Sequence, residues 1–191
     1  MPPKAKFTKQ QIVDAALQFF RDEGIEKLTS RNLGKKLGSS ACPIFTVFSS
    51  MEDVEAAMVE SAKAIYKGYV EAGLAQALPF RGVGEEYIHF AANEPKLFQL
   101  LFMSETKEAT PLNCILPMLD ESYHIILHSI MVSALVDQQT AEKLYRHLWV
   151  YTHGIACLCA TKTCQFSEQE TQRMLTEVFQ SLLKNMGTSH E

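Results

Sequence analysis

Apolar residues recur at spacings of three and four along nearly the whole chain, and no stretch keeps the strict alternation of a half-buried strand. This pattern predicts an all-α protein of about nine helices. The first runs through "FTKQQIVDAALQFFRDEG", with Ile12, Ala16, Phe19 and Phe20 on one stripe. Thr8 and Gln11 are spaced as a capping box, Phe7 and Ile12 as a hydrophobic staple, and Gly24 ends the helix. Thr29 caps a second helix that turns Leu33 and Leu37 inward and stops at Gly38. Ser40 caps a short third helix, with Pro43 in its first turn, where a missing N–H costs little. Ile44 and Phe48 then face inward, and Ala41, Cys42, Phe45 and Thr46 outward.

A long fourth helix is predicted from Ser50 to about Ala77. The Pro and Gly residues of "LPFRGVG" predict a break before a fifth helix at about Val83–Ala92. Pro95 opens a sixth, "PKLFQLLFMSE". The seventh runs from Pro111 to about Val136 and the eighth from Thr140 to Thr163. The ninth, Ser167–Met186, pairs apolar residues such as Val178/Phe179 and Leu182/Leu183.

The opening of the chain differs from the rest in charge. Residues 1–50 carry 8 Lys and Arg against 4 Asp and Glu, and residues 51–191 carry 10 against 18. A basic head on an acidic body suggests that only the head approaches a polyanion. The stretch "LGKKLGSSACPIFTVFSS" within it is a helix, a tight turn with Gly and a second very short helix, which is the helix-turn-helix pattern. Such a pair places a short helix in the ~12 Å major groove of DNA while its neighbour crosses the backbone. Arg31, Lys35 and Lys36 are placed to neutralise phosphates, and Lys4, Lys6 and Lys9 to form a basic arm. The competing reading is a helical corner that only builds a core.

From Thr8 to Val54 the sequence resembles the DNA-binding domain of the tetracycline-repressor (TetR) family of regulators. Gly24, Thr29, Leu33, Leu37, Gly38, Ser40, Ile44, Phe45, Phe48 and Ser50 carry the resemblance. It implies a three-helix helix-turn-helix domain over residues 1–50, followed by a helical effector-binding and dimerisation domain over 51–191. "NEPKLFQLLF" and "LWVYTHGIACL" look like segments common in such C-terminal domains. The implied function is a ligand-responsive transcriptional regulator that acts as a repressor released from its operator by its effector. Its partners would be a near-palindromic double-stranded DNA operator, a small apolar or amphipathic effector and a second copy of itself. Lys6, Thr29, Ser30, Arg31, Ser40, Ala41, Cys42, Phe45 and Thr46 are the expected DNA-facing residues. Three departures weaken phosphate contact: Phe45 where the family usually has Tyr, Met51 where it usually has Lys, and Ala41 where a basic residue is common.

In the acidic body, Phe90, Phe98, Phe102, Met118, Tyr123, Trp149 and His153 are the expected walls of an apolar effector pocket, closed by the sixth helix. Ile155, Cys159, Leu175, Val178, Phe179 and Leu182, on the last two helices, are the expected dimer interface. "HGIACLCATKTC" places His153, Cys157 and Cys164 within ~40° of one helix face. A thiol- or metal-responsive sensor, or a helical interaction protein, with weak DNA binding is the alternative reading of the chain, but buried cysteine packs as a small hydrophobe and structural packing is the preferred reading of these cysteines. His124 and His128 have metal-compatible spacing but no following Glu, so no metal is assigned. No nucleophile–base pair, paired-carboxylate site or phosphate loop stands out. The expectation is a non-enzyme without cofactors. No export signal or membrane span is read, and five cysteines suit a reducing cytoplasm.

Overall fold

The computed structural model describes residues 5–105, 109–119 and 121–187, and only the backbone at 118, 119 and 187. Among these residues there are nine α-helices and no strand. The first, α1 (Lys9–Glu23), begins as the sequence predicts: Thr8 Oγ1 accepts from the Gln11 N–H at 3.2 Å, and the Thr8 N–H donates to Gln11 Oε1 at 2.9 Å. A 3₁₀ turn at Ile25–Lys27 leads to α2 (Ser30–Lys36), capped by Thr29. Next comes a second 3₁₀ segment, Ile44–Thr46, and then α3 (Met51–Leu74).

The remaining helices are α4 (Pro79–Asn93), α5 (Pro95–Phe102), α6 (Leu112–Leu119), α7 (Tyr123–Ala134), α8 (Gln138–Ala160) and α9 (Glu168–Gly187). Two expected boundaries move. The break expected at "LPFRGVG" lies at residues 75–78, earlier than expected: Pro79 takes the first helical position, where its ring is pre-set for the helix, and Gly82 lies inside α4 with its backbone against Gly73. The single seventh helix is two helices, α6 and α7, and Ser122 begins the second with its C=O accepting from the Ile125 and Ile126 N–H groups at 2.9 Å. An unnoticed cap, Asp137, starts α8 by accepting from the Thr140 N–H at 2.8 Å.

The chain falls into two compact units, Met1–Ile65 with Lys96–Met103, and Tyr66–Pro95 with Ser104–Glu191. The division between these units falls within α3, and α5 belongs to the first. In that unit the buried residues come from α1 (Ile12, Ala16, Phe20), α2 (Leu33), the second 3₁₀ segment (Ile44), α3 (Val54, Met58) and α5 (Leu97, Phe98). Lys96 ties α5 to the end of α1 by donating to the Asp22 carbonyl at 2.7 Å. In the second unit α8 packs against α4, α7 and α9, and its core gathers Val83, Ile126, Ile130, Leu144 and Leu148. No described helix is long and apolar enough to cross a membrane.

Candidate nucleic-acid interface and ligand cavity

The turn of the first unit is set by two glycines. Gly38 has φ +64°, a left-handed conformation that side-chain-bearing residues avoid. Gly34 does different work on the buried face of α2: a Cβ placed there would meet the Ser40 carbonyl carbon at 2.9 Å and the Ala41 nitrogen at 3.0 Å. The absent side chain lets the chain after the turn lie directly on α2. Sequence reasoning passed over Gly34. Its signal was a glycine in the middle of a helix, which is otherwise unfavourable by about 1 kcal/mol.

The element expected as a Ser40-capped helix is a run of 3₁₀ bonds. The N–H groups of Ile44, Phe45, Thr46 and Val47 donate to the carbonyls of Ala41, Cys42, Pro43 and Ile44. Only Phe48, also bonded to the Ile44 carbonyl, closes a full α-turn. Pro43, not Ser40, stands at the cap position, and no side chain caps the segment. Three residues between a tight turn and the Ser49–Ser50 cap of α3 leave no length for an α-helix. At that cap the Asp53 N–H donates to Ser50 Oγ and the Ser49 N–H to Asp53 Oδ2, both at 3.2 Å.

The sidedness is as read. Ile44 and Phe48 are buried; Ser40, Cys42, Phe45 and Thr46 are exposed, and Ala41 half so. Phe45, 47% exposed, is an unusual side chain to leave in water. Thr46 Oγ1 donates to the Pro43 carbonyl at 2.7 Å, which leaves its lone pairs and methyl facing out. Thr29, Arg31 and Lys35 are exposed and Ser30 is half-buried. Lys36 is engaged by Asp22 at 3.0 Å, which takes it from the expected set of phosphate neutralisers, and this bond holds the Asp22 carboxyl below its ordinary range. Lys6 donates to Ser39 Oγ at 3.0 Å, so the arm is anchored at the turn itself. Lys4 lies outside the described residues.

The second unit holds a cavity of about 400 Å³. Its buried walls are Val83, Tyr87, Leu148, Thr152 and Leu175, joined by Tyr66, Phe80, Tyr145, Trp149 and Phe179. Toward solvent lie Leu78, Ser133 and Gln180, with Arg81 and Thr176 between. Of the residues expected to wall a pocket, Trp149 lines this one. Phe98 and Phe102 do not: they sit in the first unit, in contact with each other at 5.2 Å, so α5 is not the lid of this cavity. Phe90 is fully buried between Tyr66 and Tyr69, and Tyr123 lies tilted against Tyr145, 5.6 Å away, and does not line the cavity. The Met118 side chain lies outside the described residues.

His153 stands just behind the cavity. Its ring stacks on Trp149 at 4.8 Å and 12°. Nδ1 is 2.9 Å from the Tyr87 hydroxyl and Nε2 is 3.4 Å from Cys157 Sγ. Burial lowers the His153 pKa and raises those of Tyr87 and Cys157, so all three are neutral near pH 7. This is a packed hydrogen-bonded cluster with an unactivated thiol; Cys164 is exposed and belongs to no contact with it.

The expected dimer residues are mostly committed within the chain. Ile155 and Leu175 are buried, Val178, Phe179 and Leu182 are part-buried on the second unit's own core, and Cys159 is half-buried. The apolar surface that α8 leaves open is instead Val150 (51% exposed) and Leu158 (37%), with Gly154 between them and nothing of this chain within 4 Å of where its Cβ would be.

No protein-family model matches the chain, and no curated protein matches it. Solved structures do. A TetR-like transcriptional regulator from Rhodococcus sp. RHA1 superposes with a TM-score of 0.68 at 17% identity, covering 96% of this chain and 99% of that one. The fatty acid degradation regulator FadR from Bacillus halodurans gives 0.61 at 18% identity, with 94% and 97% covered. The multidrug binding protein EbrR, complexed with imidazole, gives 0.57 at 17% identity, with 92% and 95% covered. Each of these structures is matched over nearly its whole length, and this chain has the TetR fold.

Proposed function

We propose that this chain is a DNA-binding transcriptional regulator that acts as a homodimer and answers to a small apolar or amphipathic effector, most simply as a repressor. The observation that carries the reading is the turn itself: Gly34 and Gly38 hold Ser40–Thr46 against α2 with Cys42, Phe45 and Thr46 turned to solvent, beside exposed Arg31 and Lys35. A structural corner has no need to leave a phenylalanine and a cationic rim uncovered. The cavity of the second unit supplies the effector site, and the neighbours' names, a transcriptional regulator and a multidrug binding protein among them, agree with both roles. The reading is of a non-enzyme of the cytoplasm.

In this reading Thr46 and Cys42 meet base edges, while Thr29, Ser30, Arg31 and Lys6 hold phosphates and the Phe45 ring lies against the phosphate backbone. Two heads would read half-sites ~34–36 Å apart or a multiple of that. Effector binding would favour a state that no longer fits this spacing, a shift between pre-existing conformations. The dimer is assigned to the Val150–Gly154–Leu158 face of α8, where a glycine permits close approach by a second helix. The test is selection of a bound sequence from random double-stranded DNA. A near-palindromic consensus is the expected product; recovery of no consensus overturns the reading.

A further inference from the structure

The cavity's chemistry narrows its ligand, and the inference rests on reading this cavity as the effector site. We infer that it takes a neutral amphiphile, with an apolar body of on the order of a dozen non-hydrogen atoms and a hydrogen-bond-donating head such as a hydroxyl, and that it discriminates against both carboxylate and quaternary ammonium heads.

Size comes from volume. About 400 Å³ at roughly 30 Å³ per small group holds a dozen or so atoms. Polarity comes from where the polar atoms lie. The deep wall of Val83, Leu148 and Leu175 offers an apolar body dispersion contacts and no ionised group. At the mouth, Ser133 Oγ already donates to the Ile130 carbonyl at 3.3 Å, and Thr176 Oγ1 to the Gln172 carbonyl at 2.7 Å. With their hydrogens so used, both hydroxyls face a ligand as acceptors, and an acceptor calls for a donor on the ligand.

Charge selection comes from a single pair. Among the described residues Arg81 is the one ionised residue lining the cavity, and its Nε is 3.0 Å from Oε1 of Glu85, a carboxylate only 6% exposed. The Arg81 N–H does not aim at that oxygen, so neither atom completes a hydrogen bond, and the contact is one of charge. A ligand carboxylate that drew Arg81 to itself would leave Glu85 buried without compensation, which is strongly unfavourable. A ligand cation would meet Arg81 at the wall, while Glu85 does not line the cavity and cannot attract it at close range. Behind the aromatic wall His153 is held neutral by burial and supplies no counter-charge. A neutral head escapes both penalties.

Three ligands with the same chain test this: decan-1-ol, decanoate and decyltrimethylammonium, each below its micelle concentration at pH 7.5. Trp149, the chain's only tryptophan, lines the cavity and reports occupancy by fluorescence. Decan-1-ol should give a saturable change and bind about tenfold or more tightly than either ion. Glu85→Gln, which frees Arg81, should close most of that gap for decanoate and not for the cation. Decanoate or the ammonium binding the unsubstituted protein as tightly as the alcohol overturns the inference, as does no saturable change with any of the three. Should Glu85→Gln unfold, as helical circular dichroism would show, the ranking in the unsubstituted protein decides alone. DNA binding without ligand is scored separately: a protein that prefers the alcohol but holds no DNA refutes the regulator and keeps the ligand class. One that holds DNA but prefers an ion does the reverse.

Discussion

Gly34 shows how much one missing methyl group decides. A Cβ there has backbone, not a flexible side chain, at 2.9 Å, so the Ser40–Ala41 strand of the turn must move away. Gly34→Ala should destabilise the first unit by about 1–3 kcal/mol, as overpacking does, and weaken DNA binding more than ligand binding to the second unit. Paired thermal melts and Trp149 titrations would separate the two effects. Phe45 makes the opposite case, a residue with space beside it. Phe45→Tyr adds a hydroxyl at an exposed ring, and one added phosphate hydrogen bond of about 0.5–1.5 kcal/mol should tighten DNA binding roughly two- to tenfold without changing the preferred sequence. His153 adds a pH dependence. Burial lowers its pKa in the folded state, so between the ordinary histidine value of about 6.5 and that lowered value the unfolded chain binds the extra proton. Stability should therefore fall as pH drops through this window, and denaturant melts of His153→Gln should lose that part of the slope. The loss from Asp22 and Glu23, whose pKa values are lowered by Lys36 and Lys27, comes at still lower pH.

At the scale of elements, caps and stripes were the legible part. The Thr8 capping box, the Thr29 cap and the stops at Gly24 and Gly38 are local chemistry, and local chemistry is what a sequence displays directly. What misled was punctuation. Pro79 and two following glycines look like a linker, yet proline is at home at a helix start, and Gly82 is needed where α4 touches Gly73 of α3, a contact between two helices that periodicity within either one does not display. The Ser40–Phe48 segment has the buried face its spacing predicts and a different winding, because a proline and a tight turn permit i→i+3 bonds where a longer element would have become α-helical. The cavity was the least legible feature. An aromatic at helical spacing looks the same whether it lines a space, as Trp149 does, or fills the core, as Phe90 does. Phe98 and Phe102 are apolar aromatics of the same kind, and they pack with α5 in the first unit.

At the scale of the whole molecule, the apolar stripe of α9 suggested a partner, but Val178 and Leu182 are used on the second unit's own core. Charging them would damage folding and say little about assembly. Val150 and Leu158 are open and make the cleaner test: Val150→Glu with Leu158→Glu should give folded monomers in sedimentation, whereas a dimer of unchanged stability would move the interface elsewhere. The central claim is that the basic head reads DNA through Arg31 and the Ser40–Thr46 turn. The most direct measurement is a binding titration on a selected and a scrambled duplex at several salt concentrations, comparing the unsubstituted protein with Arg31→Ala and Thr46→Ala. Arg31→Ala should weaken binding to both duplexes alike and flatten the salt dependence by roughly one unit of slope, while Thr46→Ala should alter the preference between them. If affinity, salt slope and preference are all unmoved by both substitutions, the helix-turn-helix of this chain is not its DNA reader.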